Sequence, residues 1–154
     1  QNGIDNFNTY VKPYIEQYGC DLFAVAYGMN DAGVAPANEK KQIKKITDAV
    51  LSVKSDAALM IVATMVPNPN ATNGWYGNQH RFETQLLKLA SEYRDAGVSC
   101  AVMRMTSVSK AVLQHKDFVD YTGNNINHPN DFMVRLYAQT FVQTLVGYEN
   151  LKAD

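Results

Sequence analysis

The sequence predicts an α/β domain built on a parallel sheet, and three observations carry that reading. Three short apolar runs, 22–27, 58–66 and 98–105, lack the polar–apolar alternation of a half-solvated strand, as strands buried on both faces do. Stretches with helical periodicity separate them, in the order of strand–helix–strand units, so helices should cover both faces of the sheet. Each run ends in an irregular stretch, and these C-terminal strand ends should share one rim, where open α/β sheets bind ligands.

Each element has its own signals. Phe7, Tyr10, Val11, Tyr14 and Ile15 recur at helical spacing before the stop signal Gly19, although Pro13 should kink or shorten that helix. The strand at 22–27 is bounded by Asp21 and Gly28 and opens into a loop over 28–36. Asn38 reads as an N-cap and Glu39 as an acid favoured at a helix start, with Ile43, Ile46, Val50 and Val53 as an inward stripe reaching Lys54. Lys40, Lys41, Lys44 and Lys45 fall largely off that stripe and read as a solvated face. The run 58–66 ends at Pro67, in a loop rich in Asn, Pro and Gly that reaches Asn78. Phe82, Leu86, Leu89, Ala90 and Tyr93 mark the next helix, stopped by Gly97 ahead of the third strand. A helical or irregular stretch near 107–114 and a polar loop follow, and Met133, Leu136, Tyr137, Thr140, Phe141 and Leu145 define a closing helix.

Composition narrows the function. The 154 residues, 46% hydrophobic and 19% charged, suit one globular domain, and three strands are a small sheet for it. A net charge of −1 gives no general attraction to nucleic acid or an anionic membrane, so nucleic acid is not expected as a partner. No apolar run approaches the roughly 20 residues that span a bilayer. Cys20 and Cys100 belong to no spaced ligand set and read as buried free thiols, and three scattered histidines make no metal site.

Chemistry-bearing residues collect on the predicted rim. The first strand runs into Gly28, Met29, Asn30 and Asp31, and the closing helix is preceded by Asn125, Ile126, Asn127, His128 and Pro129. Pro129 reads as the first helical residue, which puts His128 at the positive helix end, where the dipole favours a neutral imidazole able to accept a hydroxyl proton. The Asn30 amide is an uncharged donor suited to a developing oxyanion. The two together suggest acyl transfer.

The string AYGMNDAG resembles the GxND block of SGNH (GDSL-type) hydrolases, and NINHP resembles the DxxHP block ahead of their final helix. The resemblance spans nearly the whole chain and implies a three-layer, flavodoxin-like α/β/α fold. It implies that Asn30 completes the oxyanion hole, that Gly28 and Asp31 brace its loop, and that His128 is general base and then general acid toward a serine. No cofactor is implied; the substrate would be an ester, an acyl group on a carbohydrate at the family level, and the setting secreted or periplasmic.

Two departures stand beside the match. No GDS or GxSxG string occurs, and none of Ser52, Ser55, Ser91, Ser99, Ser107 and Ser109 has a nucleophile-elbow pattern. The acid position of the DxxH block holds Asn125, which can orient His128 but cannot stabilise imidazolium with a charge; Asp120 or Asp131 in space, or a Ser–His dyad, are the open alternatives. The expectation is therefore the C-terminal part of a serine esterase whose nucleophile lies outside this chain, an N-terminally truncated and incomplete sheet. In the flavodoxin-like order the absent strands would pair beside 22–27, leaving that strand at an edge that invites self-association or the missing N-terminal segment. The competing expectation is a noncatalytic SGNH-like domain that binds a ligand or carbohydrate without turnover.

The remaining candidates have quieter readings. Trp75 and Tyr76 fit sugar stacking and loop packing equally; His80 reads as a polar helix-start residue, His115 as a surface helix end, and Arg104 as half of a structural ion pair.

Overall fold

The computed structural model describes residue 4 and residues 6–72 and 74–147. A π-helical turn, Phe7–Val11, passes directly into α1, Lys12–Tyr18. Pro13 therefore lies in the first turn of α1, where its missing N–H breaks no helical bond, and the Lys12 N–H reaches back to Phe7 O. Then follow β1 (Leu22–Ala26), α2 (Pro36–Val53), β2 (Ala58–Ala63), α3 (Gln79–Asp95), β3 (Cys100–Arg104), α4 (Met105–Val112), α5 (Phe118–Tyr121) and α6 (Asp131–Val146). Both strand pairs are parallel, in the order β1-β2-β3, with Leu22 opposite Ala58 and Leu59 opposite Cys100.

Three layers result, as the sequence predicts. One face of the sheet presents Val25, Leu59, Ile61, Ala63 and Cys100 to α2 and α3, through Ile43, Ile46, Phe82, Leu86 and Leu89. The other presents Met60 and Met103 to α4, α5 and α6, through Met105, Tyr121 and Met133. The turn at Phe7 and α1 seal the α2 edge, where Phe7 and Ile15 meet Val50 and Ala57. The central strand β2 is covered on both faces, with Leu59, Met60, Ile61 and Ala63 at most 2% exposed. Burying each of the larger of these side chains is worth about 2 kcal/mol. The edge strand β1 differs: Val25 is buried while Ala24 and Ala26 are exposed.

Apart from shifts of up to about three residues at element ends, the structure departs from the expectation in three places, each for a local reason. The N-cap of α2 is Ala35 rather than Asn38, because Pro36 has the backbone angle of a first helical residue and starts the helix earlier. A short helix, α5, lies in the stretch expected to be a polar loop, closed by a reciprocal capping box between Asp117 and Asp120. The cap of α6 is Asn130, so Pro129 is not helical. Instead 121–123 and 128–130 run antiparallel: the Gly123 N–H donates to His128 O (2.8 Å), the Asn130 N–H donates to Tyr121 O (3.0 Å), and Thr122 pairs with Pro129. Pro129 needs no donor at that position, so the bridge accommodates it.

Both cysteines are free; Cys100 is buried and Cys20 half-buried. No described helix is long and apolar enough to cross a membrane.

Candidate functional site

A cleft of about 750 Å³ opens at the C-terminal ends of the strands. The exit of β1 supplies Gly28, Met29, Asn30 and Asp31, the exit of β2 supplies Thr64, the stretch before α6 supplies Asn127, His128 and Pro129, and α6 supplies Tyr137. Residues about a hundred positions apart thus line one space, because a parallel sheet brings every strand exit to the same rim.

The Asn30 loop is held by close packing. Gly28 has φ of 104°, and a Cβ there would stand 3.0 Å from Phe82 Cδ2 and 3.1 Å from a Glu39 carboxylate oxygen, so only glycine fits. Backbone bonds from Asp31 N to Gly28 O (3.1 Å) and from Val34 N to Asp31 O (2.9 Å) fold the loop back on itself. The loop after β2 presses on it: the Asn78 N–H donates to Ala32 O (2.8 Å), and a Cβ on Gly77 would meet that same carbonyl oxygen at 2.2 Å. Gln79, fully buried, ties the two loops together. Its amide donates to Met29 O (3.0 Å) and Trp75 O (3.0 Å) and accepts from the Gly77 N–H (2.8 Å), so both its nitrogen and its oxygen are engaged. With its backbone pinned, Asn30 projects an exposed side chain into the cleft wall.

Glu39 lies behind this loop, 4% exposed on the inward face of α2. Burial, and then the negative charge of Asp31, push its carboxyl up to about 7. It lies in the first turn of α2, the helix start where the sequence placed it, and four residues before Ile43 it also falls on the inward stripe.

The His128 loop is held by carboxamides. Asn124 Oδ1 accepts from three successive N–H groups, those of Ile126 (2.9 Å), Asn127 (3.0 Å) and His128 (3.0 Å). Asn68, buried in the loop after β2, donates to Asn125 O (2.8 Å) and Asn125 Oδ1 (3.2 Å), while its own N–H donates to Ile126 O (2.7 Å). Asn125 sits at φ of 55°, a left-handed conformation that asparagine tolerates. Asn130 caps α6 through Met133 N (3.1 Å) and donates to Asp120 O (2.8 Å).

These bonds decide what the histidine has around it. The Asn125 side chain is engaged by Asn68, and the Asp120 carboxylate accepts from Asp117 N (2.9 Å) as part of the α5 cap. Among the described residues no side chain hydrogen bonds to the His128 ring, which stands exposed two residues ahead of the α6 cap rather than at the helix end itself. Asn127 is 3% exposed; its oxygen meets Asn124 Nδ2 at 3.4 Å and its Nδ2 has no partner among the described residues. The cleft floor carries two hydroxyls, Thr64 Oγ1 against Met29 Sδ (3.5 Å) and Tyr137 OH accepting from Met65 N (3.0 Å). Burial pushes the Tyr137 phenol upward, so it stays neutral.

The other singled-out residues lie outside the cleft. Trp75 is 41% exposed on the second rim loop, and Tyr76 stacks on His80 with ring centroids 5.4 Å apart, while His80 Nδ1 meets Gly77 O at 2.8 Å. Arg104 pairs with the buried Glu83 (3.2 Å), which also takes the Ser107 N–H and hydroxyl, the structural ion pair the sequence suggested. No serine lines the cleft: Ser109 is buried under Val66, and Ser52 bonds its own helix. No group of three or more His, Cys, Asp or Glu side chains among the described residues could hold a metal ion.

Compared with known proteins, the chain matches no family model and no curated protein by sequence. It is similar in structure to a carbohydrate esterase family 3 from Talaromyces cellulolyticus, with a TM-score of 0.68 and 12% identity over 98% of this chain and 69% of that one. At that identity the likeness establishes the fold, a three-layer α/β/α arrangement on a parallel sheet.

Proposed function

We propose that this chain is the C-terminal part of a serine ester hydrolase, providing the oxyanion asparagine and the general base to a serine carried outside it. The observation that carries the reading is that Asn30 and His128, from opposite ends of the sequence, line one cleft at the strand exits. In the assembled site His128 takes the serine proton as the serine oxygen attacks the acyl carbon, and the Asn30 amide donates to the carbonyl oxygen as it gains charge. The protonated imidazole then returns the proton to the departing alkoxide, and a water deprotonated by His128 releases the acid and regenerates the serine. Removing a donor such as the Asn30 amide raises the barrier by roughly 3–4 kcal/mol.

The substrate class is a carboxylic ester, with an acylated carbohydrate favoured by the similarity to a carbohydrate esterase and by the half-exposed Trp75 on the second rim loop. A second reading, a binding domain without turnover, is favoured by one observation: no serine lines the cleft. Intact mass, p-nitrophenyl acetate turnover and fluorophosphonate labelling separate the two. The proposal expects this chain alone to take no label and show no turnover, and a polypeptide carrying the serine to restore both, with loss again on His128→Ala. Turnover by this chain alone that survives replacement of every serine would overturn the mechanism. An acylated sugar bound but never hydrolysed, even by the restored assembly, would favour the second reading.

A further inference from the structure

Behind the Asn30 loop lies an ionisable group to which the proposed chemistry gives no role. Glu39 is 4% exposed in the first turn of α2, and one of its carboxylate oxygens fills the space behind Gly28, 3.1 Å from where a Cβ would stand. The Phe82 ring fills the rest, 3.0 Å from the same point. Among the described residues nothing donates a hydrogen bond to the carboxyl. The Asp31 N–H donates to Gly28 O (3.1 Å), so Asn30 sits inside a turn whose first residue rests on Glu39 and whose last carries a like charge. Asp31 acts on Glu39 from the loop, and the chain's terminal amine acts in the opposite sense. From α3 the contact is the uncharged Phe82, and the next residue, Glu83, is paired with Arg104. His128 lines the same cleft as the loop.

We propose that Glu39 is a positioning residue for Asn30: as the neutral acid it closes the space behind Gly28 and holds the loop over 28–31 against α2 and α3, and as the carboxylate it draws water into that space and parts the loop from α2. The two forms differ in where they can be satisfied. A neutral carboxyl packs against a glycine and a phenyl ring at modest cost, whereas an anion there has neither donor nor solvent and is repelled by Asp31. The helix cannot yield, because its inward stripe continues through Ile43, Ile46 and Val50 in the core, while the loop is open to solvent at Asn30. Burial, and then Asp31, push the carboxyl up to about 7. One proton released to solvent therefore moves the loop: Asn30 is set below about pH 7 and released above it.

The consequence for turnover rests on the ester-hydrolase reading. Asn30 is in place while Glu39 keeps its proton, and His128 acts as base once it has lost its own, so the two groups limit activity from opposite sides of pH.

The test follows this chain by NMR from about pH 5 to about pH 9. The expected result is one transition at about pH 7, shared by the Glu39 carboxyl carbon and the amides of 28–31. The nuclear Overhauser contact between a Gly28 Hα and the Phe82 ring is present below it and lost above it. Glu39→Gln keeps that contact at every pH, Asp31→Asn lowers the midpoint, and His128→Ala leaves the transition in place. A carboxyl carbon that titrates near its ordinary 4.5 overturns the proposal, and so does one at about 7 while the Gly28–Phe82 contact persists. A transition at 28–31 that survives Glu39→Gln, or vanishes in His128→Ala, belongs to the histidine and overturns it too. With the serine-bearing polypeptide added, kcat should fall on the order of tenfold between about pH 7 and pH 9, and Glu39→Gln should show no such fall. Loss of the contact without turnover at any pH keeps the positioning role and overturns the hydrolase reading; turnover with the same alkaline limb in both proteins keeps the hydrolase reading and overturns the positioning role.

Discussion

The two loops that carry Asn30 and His128 are built on opposite principles. Around Asn30 the chain is held by exclusion of volume: Gly28 and Gly77 let backbone approach Phe82, Glu39 and Ala32, and the buried Gln79 fills the remaining gap with hydrogen bonds. Around His128 it is held by hydrogen bonds from Asn124, Asn68 and Asn130, with Asn68 buried and Asn124 at the surface. A close-packed contact has no partial form, so damage to the first loop should spread into the fold. A half-solvated carboxamide can be replaced by water at small cost, so damage to the second should stay local.

The largest effect should come from Gly77→Ala. Its new methyl carbon would stand 2.2 Å from the Ala32 carbonyl oxygen, a backbone atom that cannot rotate away, so the two loops must separate and the Gln79 bonds with them. We expect a loss on the order of 4 kcal/mol in urea unfolding, at the upper end for an added methyl. A loss under about 1 kcal/mol would mean that solution packing between these loops is slack, and the contrast with the His128 loop would fail.

Next in size is a stabilisation. The Glu39 carboxyl, raised from its ordinary 4.5 to about 7 by burial and by Asp31, is held protonated by the fold. The folded state binds that proton more tightly than the unfolded one, so its contribution is whole below about pH 4.5 and is lost as pH rises toward 7, after which it is flat. At 1.36 kcal/mol per unit the loss is on the order of 3 kcal/mol. Glu39→Gln, which imitates the neutral acid, should remove most of this slope and be more stable than the parent at pH 8. Parallel pH profiles of the two proteins would show that Glu39 is not a source of the slope.

How far the sequence revealed these two regions follows the same division. The place of Asn30 and His128 on one rim was legible because each sits in a short string next to a strong element signal, a buried strand and a closing helix. Gln79 and Gly77 were not, because their partners Met29 and Ala32 lie 45–50 positions away and nothing local distinguishes them from ordinary loop residues. Glu39 was legible as a first-turn acid but not as a buried one, because a lone charged residue at the end of an apolar stripe gives no local sign of being covered. The start of α6 was misjudged because the antiparallel contact between 121–123 and 128–130 outweighs the helical preference of Pro129. The three strands, whose signal is the apolar run itself, were legible to within about three residues at their ends.

The smallest expected effect tests the second loop. Asn124 Oδ1 serves three N–H groups, yet the residue is exposed, so Asn124→Ala hands those groups to water and should cost only about 1 kcal/mol. The consequence lies in position rather than stability. Without the shared acceptor the turn over 124–128 opens and the His128 ring samples a wider arc, while the close-packed loop at 28–31 has no reason to respond. In ¹H–¹⁵N spectra the amides of 126–128 and the His128 ring should shift and those of 28–31 should stay, and Asn124→Asp, which keeps the acceptor oxygen, should restore the parent pattern. If the amides of 28–31 moved as well, the two loops would be one cooperative unit, and the support of His128 could not be altered without altering the support of Asn30.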